Sequence, residues 1–459
     1  MEGVHDAILA ACWIIGGLIA LSGLDDLCLD LVAHGYRLAR RLTVYRRHAR
    51  ATCGSLPVVP DRAAAILVPA WREEAVIGGT LRALRKNLRY RNYRVFLGTY
   101  ANDEATARVA RACDPASSWL TILRLAVDGP TTKADCLNRL WRAVGDWEDV
   151  HAIRFAFIVL HDAEDIVHPD ELRIFNHLTA RADMVQLPVQ PLVPRRRAFI
   201  AGHYLDEFAE SHQKDLVVRE WLGRGVPSAG VGCAFRADAL RALASQERGG
   251  PFSVASLTED YALALTLQRQ GRRTIFVRLA DASGVAAATR EYFPDSFAPA
   301  VRQKARWLIG IGLQAWNEAG WPGSAGARYM LLRDRKAIAS ALLSAAAYLL
   351  ALAIGLYEVA AVLTQSAPPL LEPGGSLGRL LGLNLFLLVN RAGHRLVYVW
   401  RLAGPVQGLL ALPRIPVANA INCAAALRAL RLYTRHRLRG APLRWDKTPH
   451  RLPARAVAE

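Results

Sequence analysis

The chain has 459 residues, enough for a large domain with a buried core and smaller elements beside it. Hydrophobic residues make up 52% of it and charged residues 21%, which excludes a disordered chain and is high for a purely soluble protein. Basic residues exceed acidic ones by 58 − 40 = 18, so nucleic acid, anionic lipid and phosphorylated substrates all stay open as partners. The seven cysteines are scattered and never spaced as CxxC, a pattern that indicates reduced thiols and neither a disulfide framework nor a zinc site.

The first hydrophobic segment runs from Ala7 to Leu24 without a charged residue. Its eighteen residues at ~1.5 Å each cross most of a ~30 Å hydrocarbon core. No Lys or Arg precedes it, so an uncleaved anchor is favoured over a signal peptide, and a buried soluble helix is the alternative. Basic residues crowd the stretch after it, which predicts an outer N-terminus and a cytoplasmic chain from residue 50: Arg37, Arg40, Arg41, Arg46, Arg47 and Arg50.

Further apolar segments lie near the other end of the chain. Ala337–Leu363 is predicted to cross outward into a loop at Thr364–Leu377, and Leu380–Trp400 to cross back despite its polar residues. Gly404–Leu427 contains three prolines and is read as an interfacial helix, with a fourth span or a re-entrant segment as alternatives. Nine basic residues between 428 and 455 then place the C-terminal tail inside.

The basic residues are concentrated beside the predicted spans. Fifteen of the 58 lie in the two stretches described above, where anionic lipid explains them. Basic motifs with interleaved aromatic residues, of the kind that bind nucleic acid, do not occur in the sequence. We therefore expect a lipid bilayer and no nucleic acid as a partner.

Strand-like and helix-like segments alternate between the membrane segments, beyond a linker at 51–60. Strands are predicted at 63–68, 93–99, 119–126 and 155–160, and helices at 76–88, 104–112 and 133–144. This alternation predicts an α/β fold. Ligands in such sheets bind beyond the carboxyl ends of the strands, so the segment that follows residue 160 is a candidate site.

Three polar motifs carry the candidate chemistry. Asp162 and Glu164 follow a buried strand and could turn two carboxylates toward one Mg²⁺ or Mn²⁺, or form an acidic turn before a helix. Thr258-Glu259-Asp260 lies at the start of a helix that Thr258 could cap, and it either contributes a carboxylate or is a solvated N-terminal turn. Gln303, Arg306 and Trp307 share one helix face by their spacing, either to bind phosphate and sugar or to pack beside the bilayer.

The order of these motifs resembles that of processive, membrane-bound glycosyltransferase family 2 enzymes such as cellulose and hyaluronan synthases. Longer segments are similar to the bacteriophage N-4 adsorption protein B family over nearly the whole chain: SGLDDLCLDL (22–31), VYRRH (44–48), VPAWREE (68–74), GTYANDEAT (98–106), TKADCLN (132–138), HDAEDIVHPDELRIFN (161–176), VPSAGVGCAF (226–235), REYFPDSF (290–297), VRQKARWLIGIG (301–312), RDRKAI (333–338) and WDKTPH (445–450).

The resemblance implies a fold and a division of the chain. It implies a GT-A nucleotide-sugar domain, a mixed sheet flanked by helices, with N- and C-terminal transmembrane helices. We expect a membrane anchor at 1–50, the cytoplasmic GT-A domain at 60–325, transmembrane and interfacial helices at 326–427 and a basic cytoplasmic tail at 428–459. The resemblance also implies a multi-pass protein of the bacterial inner membrane with a periplasmic N-terminus.

The resemblance also assigns roles by position. Asp260 would be the general base with Glu259 beside it, and Asp162 and Glu164 would hold Mg²⁺ or Mn²⁺, although Glu replaces the usual second Asp. Gln303, Arg306, Trp307 and Gly230 would meet the acceptor or the diphosphate. The nucleotide sugar would meet these residues: Pro69, Glu73, Asp103, Lys133, Asp135 and Asp162.

The implied function is inverting transfer of a sugar from a nucleoside diphosphate, with a UDP-sugar as the expected donor, to a growing glycan acceptor. Two alternatives stay open: a non-catalytic membrane receptor or assembly component that keeps the fold, and a transferase that adds one sugar to a lipid carrier. Three crossings are few for a pore made by one chain, so a homo-oligomer or an outer-membrane export partner is a further hypothesis.

Overall fold

The computed structural model describes residues 2–193, 198–223, 225–246, 249–364, 370 and 375–443. Most of the predicted external loop, at 365–369 and 371–374, lies outside these residues. So do the end of the predicted basic tail, from residue 444, and the WDKTPH motif at 445–450 within it.

The described chain alternates strands and helices between long helices near its two ends. The strands are Ala64–Pro69 (β1), Tyr93–Tyr100 (β2), Leu120–Leu125 (β3), Phe157–Leu160 (β4), Met184–Gln186 (β5), Val189–Leu192 (β6), Cys233–Arg236 (β7), Thr274–Phe276 (β8) and Thr289–Tyr292 (β9). The helices are Glu2–Leu42 (α1), Ile77–Asn87 (α2), Glu104–Arg111 (α3), Lys133–His151 (α4), Glu171–Leu178 (α5), Phe199–Glu210 (α6), Leu216–Gly223 (α7), Ala237–Ala244 (α8), Glu259–Arg269 (α9), Phe297–Trp307 (α10), Ala315–Ala319 (α11), Ala325–Arg335 (α12), Ala337–Thr364 (α13) and Ser376–Arg439 (α14). Cys53–Ser55 forms a 3-10 turn, and Ser211–Asp215 and Leu308–Gln314 form π-helical turns.

Within the part of the chain that the structure describes, seven strands form one mixed sheet in the order β3-β2-β1-β4-β7-β5-β8. Only β7 runs antiparallel to its neighbours, and β6 and β9 form a separate parallel pair. The interior strand β1 is buried on both faces because helices cover the sheet on each side, as its continuous apolar run AAILV predicts. Because β1 and β4 are adjacent and parallel, Pro69 and the loop after Leu160 meet at one edge.

Among the described residues, three helices are long and apolar enough to cross a membrane: α1, α13 and α14. The helix α14 breaks at Gly404, whose φ of 84° lies in the region that favours glycine. The predicted third crossing lies before the break. The segment predicted to be interfacial lies after it, where residues 405–439, here called the second arm of α14, pack on α6 and α10. Pro405 fits the first turn of this arm because proline needs no hydrogen-bond partner there.

Ion pairs join the long helices to the helices beside the sheet. Asp30 of α1 contacts Lys214 Nζ at 2.8 Å, and Asp26 of α1 contacts Arg333 of α12 at 2.8 Å. Asp206 of α6 accepts two hydrogen bonds from Arg414 in the second arm, at 2.6 and 2.9 Å, and both residues are 1% exposed. A polar residue of the predicted third crossing forms a further ion pair: Arg395 contacts Glu210 of α6 at 3.2 Å.

Candidate active site

A cavity of about 420 Å³ opens at the carboxyl edge of the sheet. It collects side chains from β1, α4, the loop after β4, α9, β9 and α10. Most of the residues predicted to bind or react lie on its wall, although they are distant in the sequence: Pro69, Glu73, Lys133, Asp162, Glu164, Glu259, Asp260, Gln303, Arg306 and Trp307. The cavity therefore brings the three polar motifs together.

Three carboxylates meet on one side of this cavity. Oxygens of Asp162, Glu164 and Glu291 all lie within 4.8 Å of one another. Hydrogen bonds in both directions between Arg290 and Ile166 hold β9 against the loop that follows β4, at 2.8 and 3.0 Å. Glu291 was missed by the sequence reasoning. Its signal was the REYFPDSF motif, but a single sequence does not show which carboxylate of that motif faces the cavity.

The electrostatics of this cluster favour a cation. Burial raises the pKa of Glu291 well above its usual value, and the negative charges of Asp165, Glu164 and Asp162 raise it further. A divalent cation among the three carboxylates would offset this repulsion. Because all the donors are oxygens, the cluster suits Mg²⁺ or Mn²⁺.

Lys133 lies at the first turn of α4 and reaches the same cluster. Its Nζ is 2.5 Å from Asp162 Oδ1. Burial alone would lower the pKa of Lys133, but Asp162, Glu259 and Asp260 raise it above its usual value. The amine therefore stays charged and offers the cavity one fixed positive group.

Asp260 lies in the first turn of α9 and faces the loop that contains Gly230 and Gly232, here called the glycine loop. A Cβ atom on Gly230 would lie 2.7 Å from Asp260 Oδ2, and the φ of Gly230 is 77°, so this close approach requires glycine. Burial raises the pKa of Asp260, and burial together with Asp260 raises the pKa of Glu259 to about 7. The expected cap by Thr258 is wrong: the residue occupies the N-cap position, but its buried hydroxyl has no partner among the described residues.

Gln186 fixes the glycine loop from the sheet side and was also missed by the sequence reasoning. Its Oε1 accepts from Ala229 N at 2.8 Å, and its Nε2 donates to Val231 O at 2.9 Å. The side chain is fully buried at the end of β5 and lines the cavity. No local motif marks it, because both partners lie more than forty residues away.

Aromatic rings form the far wall of the cavity. Phe293 stacks on Tyr204 with centroids 4.6 Å apart, and Trp307 packs edge-on to Phe293 at 6.2 Å. Gln303 and Arg306 lie on the same helix as Trp307, as their spacing predicts. Val417 and Ile421 of the second arm support these rings from behind. Such a wall suits the face of a sugar ring.

Two predicted nucleotide contacts and Gly230 are not on the cavity wall. Asp103 accepts from Arg72 N at 2.6 Å and from Thr106 N at 3.3 Å, so it caps α3. Asp135 contacts Arg139 Nε at 3.0 Å. Their contact with a nucleotide stays a prediction, while Gly230 acts on the cavity through its approach to Asp260.

His161 is buried between two carboxylates, as a structural histidine would be. Its Nδ1 lies 2.8 Å from Asp165, and its Nε2 lies 2.7 Å from Glu171. Burial alone would lower its pKa, but Glu171 and Asp165 raise it to about 10. The imidazolium therefore holds the start of the loop that carries Asp162.

The comparisons with known proteins agree with this geometry. The family model described as "Glycosyltransferase like family 2" matches residues 60–310, so the chain belongs to this glycosyltransferase family. The predicted mixed sheet with flanking helices is confirmed. A mannosyltransferase from Pyrobaculum calidifontis, solved in complex with GDP-Man and Mn²⁺, has a similar fold with a TM-score of 0.50 at 17% identity, covering 94% of this chain and 98% of its own.

More specifically, the chain is similar to bacteriophage adsorption protein B of Escherichia coli strain K12. The two are 40% identical over 460 residues, which cover 95% of this chain. Bacteriophage N4 adsorption protein B of Escherichia coli O157:H7 matches to the same extent. The resemblance predicted from the motifs is thus confirmed. The chain spans 61% of the length of both relatives.

Proposed function

We propose that the chain is a membrane-bound, inverting glycosyltransferase that moves a sugar from a nucleoside diphosphate to a growing glycan. One observation carries the proposal: the cavity joins a three-carboxylate cluster, the carboxylates of Glu259 and Asp260 at a helix start and an aromatic wall. A donor diphosphate needs the carboxylate cluster, an acceptor hydroxyl needs a carboxylate at the helix start, and a sugar ring needs the aromatic wall.

The donor would lie with its diphosphate beside the carboxylate cluster. Asp162, Glu164 and Glu291 would hold Mg²⁺ or Mn²⁺, which when bound neutralises charge on the departing diphosphate. Lys133 places a fixed positive charge on the same side, and Arg306 adds a guanidinium from α10. The donor site thus offsets the charge of a UDP-sugar.

The acceptor hydroxyl would lie beside Asp260. Its carboxylate takes the hydroxyl proton while the oxygen attacks the anomeric carbon and the bond to the diphosphate breaks. The raised pKa of Asp260 makes it a better proton acceptor than a solvated aspartate. Since a single displacement needs one base and no covalent intermediate, the anomeric configuration inverts.

The aromatic wall and the long helices suggest where the product goes. Trp307 and Phe293 would stack with acceptor sugars, and Tyr204 supports Phe293 from the core. The proposed location is the bacterial inner membrane, with the N-terminus in the periplasm and the sheet in the cytoplasm. Either a homo-oligomer or an outer-membrane partner would complete export, and the particle mass in nanodiscs distinguishes the two.

The proposal is tested by donor turnover. Purified protein in nanodiscs would be given Mg²⁺ or Mn²⁺ and a panel of UDP- and GDP-sugars, with released nucleoside diphosphate as the readout. Release from one donor that Asp260→Asn abolishes and Asp238→Asn leaves unchanged supports the transferase. No release from any donor by folded protein contradicts it.

A second candidate function is that of a receptor or assembly component without catalysis, and it is favoured by the names of the adsorption relatives. The two functions differ in one measurable respect. Cells that carry Asp260→Asn would keep a receptor function and lose a glycan. A wild-type surface glycan in those cells would favour the receptor.

A further inference from the structure

A second cluster of ligand-type side chains lies apart from the cavity. Cys53, His168 and Asp170 place a sulfur, a ring nitrogen and a carboxylate oxygen within 4.8 Å of one another. Their exposed fractions are 1%, 7% and 3%, and none of the three lines the cavity. Buried polar groups of this kind normally serve one another or a ligand.

The fold brings these residues together from distant parts of the chain. Cys53 lies in the 3-10 turn of the linker after α1, fixed by a capping box between Thr52 and Ser55. Its backbone N donates to Ala280 O at 2.8 Å, which ties the linker to the segment after β8. His168 and Asp170 lie just before α5. The cluster therefore joins the linker to the loop that leads into α5.

The contacts within the cluster leave the thiol unused. Cys53 Sγ forms no hydrogen bond to another residue within the described part of the chain. Asp170 contacts Arg173 at 3.0 Å and Arg89 at 3.6 Å. Asp281 Oδ2 lies 3.9 Å from His168 Nε2, too far for a hydrogen bond. A buried thiol and an imidazole thus face two carboxylates without a direct bond among their side chains.

We propose that Cys53, His168 and Asp170 bind a structural Zn²⁺ ion. Thiolate and imidazole are the ligands that zinc prefers over Mg²⁺ or Mn²⁺, and three protein ligands leave one tetrahedral position for Asp281 or a water. Asp281 is held in place because its Oδ1 accepts from Ser283 N and Val285 N, each at 2.9 Å. The spacing of the cysteines did not indicate this site, because the site contains a single cysteine and no CxxC pattern.

Bound zinc would fix the linker between the membrane helix α1 and the sheet. His168 lies four residues after Glu164, so the same ion would anchor the C-terminal end of the loop that carries Asp162 and Glu164. This ion differs from the one proposed in the cavity, which has oxygen donors only. A chelator wash that removes the cavity metal would leave the buried zinc in place.

The test is metal content of protein purified without a polyhistidine tag, reloaded with one equivalent of Zn²⁺ and washed with EDTA. We expect about one zinc per chain in the wild type and in Asp162→Asn, and a loss of at least about tenfold in Cys53→Ser. The matched control is Cys113→Ser, whose thiol forms hydrogen bonds with Val109 O, Gly78 O and Arg82 and which should keep the zinc.

A second measurement needs no variant. Co²⁺ added to the wild-type protein should produce the absorption of a thiolate-to-cobalt charge transfer. Zinc absent from folded wild-type protein, or retained equally by Cys53→Ser as an adventitious ion, would overturn the proposal. Zinc found in Asp162→Asn without transferase activity would uphold this site independently of the proposed function.

Discussion

At the scale of single residues, Asp260 is the group on which the proposed reaction depends most directly. Replacing it with asparagine removes the proton acceptor and keeps the shape of the side chain. We expect kcat to fall by about 10²–10⁴-fold, with an unchanged melting temperature in nanodiscs. Asp238→Asn, 81% exposed at its side chain, is the matched control. A variant at Asp260 that keeps most of its turnover would remove this residue from the mechanism.

Glu291 tests the proposed metal site. Glu291→Gln keeps the side-chain size but removes one of three charged donors. The Mn²⁺ concentration for half-maximal donor turnover should rise at least about tenfold, since ~1.4 kcal/mol of binding energy corresponds to that factor. Asp295→Asn in the same motif is exposed and should leave the concentration unchanged. An equal metal requirement in both variants would argue that Glu291 does not contact the ion.

His212 predicts how stability responds to acid. Burial lowers its pKa to about 4, and its Nδ1 donates to Val189 O at 3.0 Å. An unfolded histidine titrates near ~6.5, so above this pH both states are neutral. As the pH falls from about 6.5 to 4 the unfolded state takes up the proton first, which lowers the free energy of unfolding by up to ~3 kcal/mol.

The measurement is the melting temperature of His212→Gln and wild type between pH 7 and pH 4. The wild type should lose more stability across this window, because the variant has no proton to gain at position 212. His48→Gln, at an exposed histidine, should follow the wild type. Parallel curves for all three proteins would contradict the predicted protonation.

Residues near one another in the sequence were the predictable part of the site. Asp162 and Glu164 follow a buried strand, and strand ends of an α/β sheet meet at one edge. Glu291 joins them only because β9 bridges to Ile166, a pairing across more than a hundred residues that no local pattern reports. Asp103 was predicted from a local motif to contact the nucleotide, but its carboxylate accepts hydrogen bonds from two backbone amides.

At the scale of elements, the buried pair of Asp206 and Arg414 tests how the second arm is held. Asp206→Ala leaves the guanidinium buried beside Gln407 without its countercharge. Breaking a buried pair in this way costs about 3–5 kcal/mol. The melting temperature should fall clearly, whereas Asp238→Ala, which breaks the solvent-exposed contact to Arg241, should change it little. Equal melting temperatures would mean that the arm does not depend on this pair.

The strands β1 to β4 were predictable from the sequence, whereas β5, β7, β8 and the packing of the second arm were not. The first four strands are short apolar runs bounded by turns, and β1 begins one residue from its predicted start. The second arm contains three prolines and shows little periodicity, and its buried Arg414 contacts Asp206 on α6. Its packing depends on that partner, which the local sequence does not contain.

At the scale of the whole molecule, the proposed topology predicts which sites can be reached from outside. A cysteine placed at Gly3 should react with a membrane-impermeant maleimide in spheroplasts, because α1 would begin in the periplasm. A cysteine placed at Arg46 should react only after the cells are lysed. Labelling at Arg46 in intact spheroplasts would reverse the proposed orientation. The division of the chain into domains stays a prediction.

The position of the second arm has a consequence for the order of biosynthesis. Residues 405–439 leave the ribosome after the rest of the cavity wall, yet Val417 and Ile421 support Tyr204 and Trp307. A nascent chain that has already inserted α1 therefore lacks the residues that support the proposed acceptor wall. Glycan synthesis would begin only after the ribosome has translated this arm. An incomplete chain at the membrane would therefore be inactive.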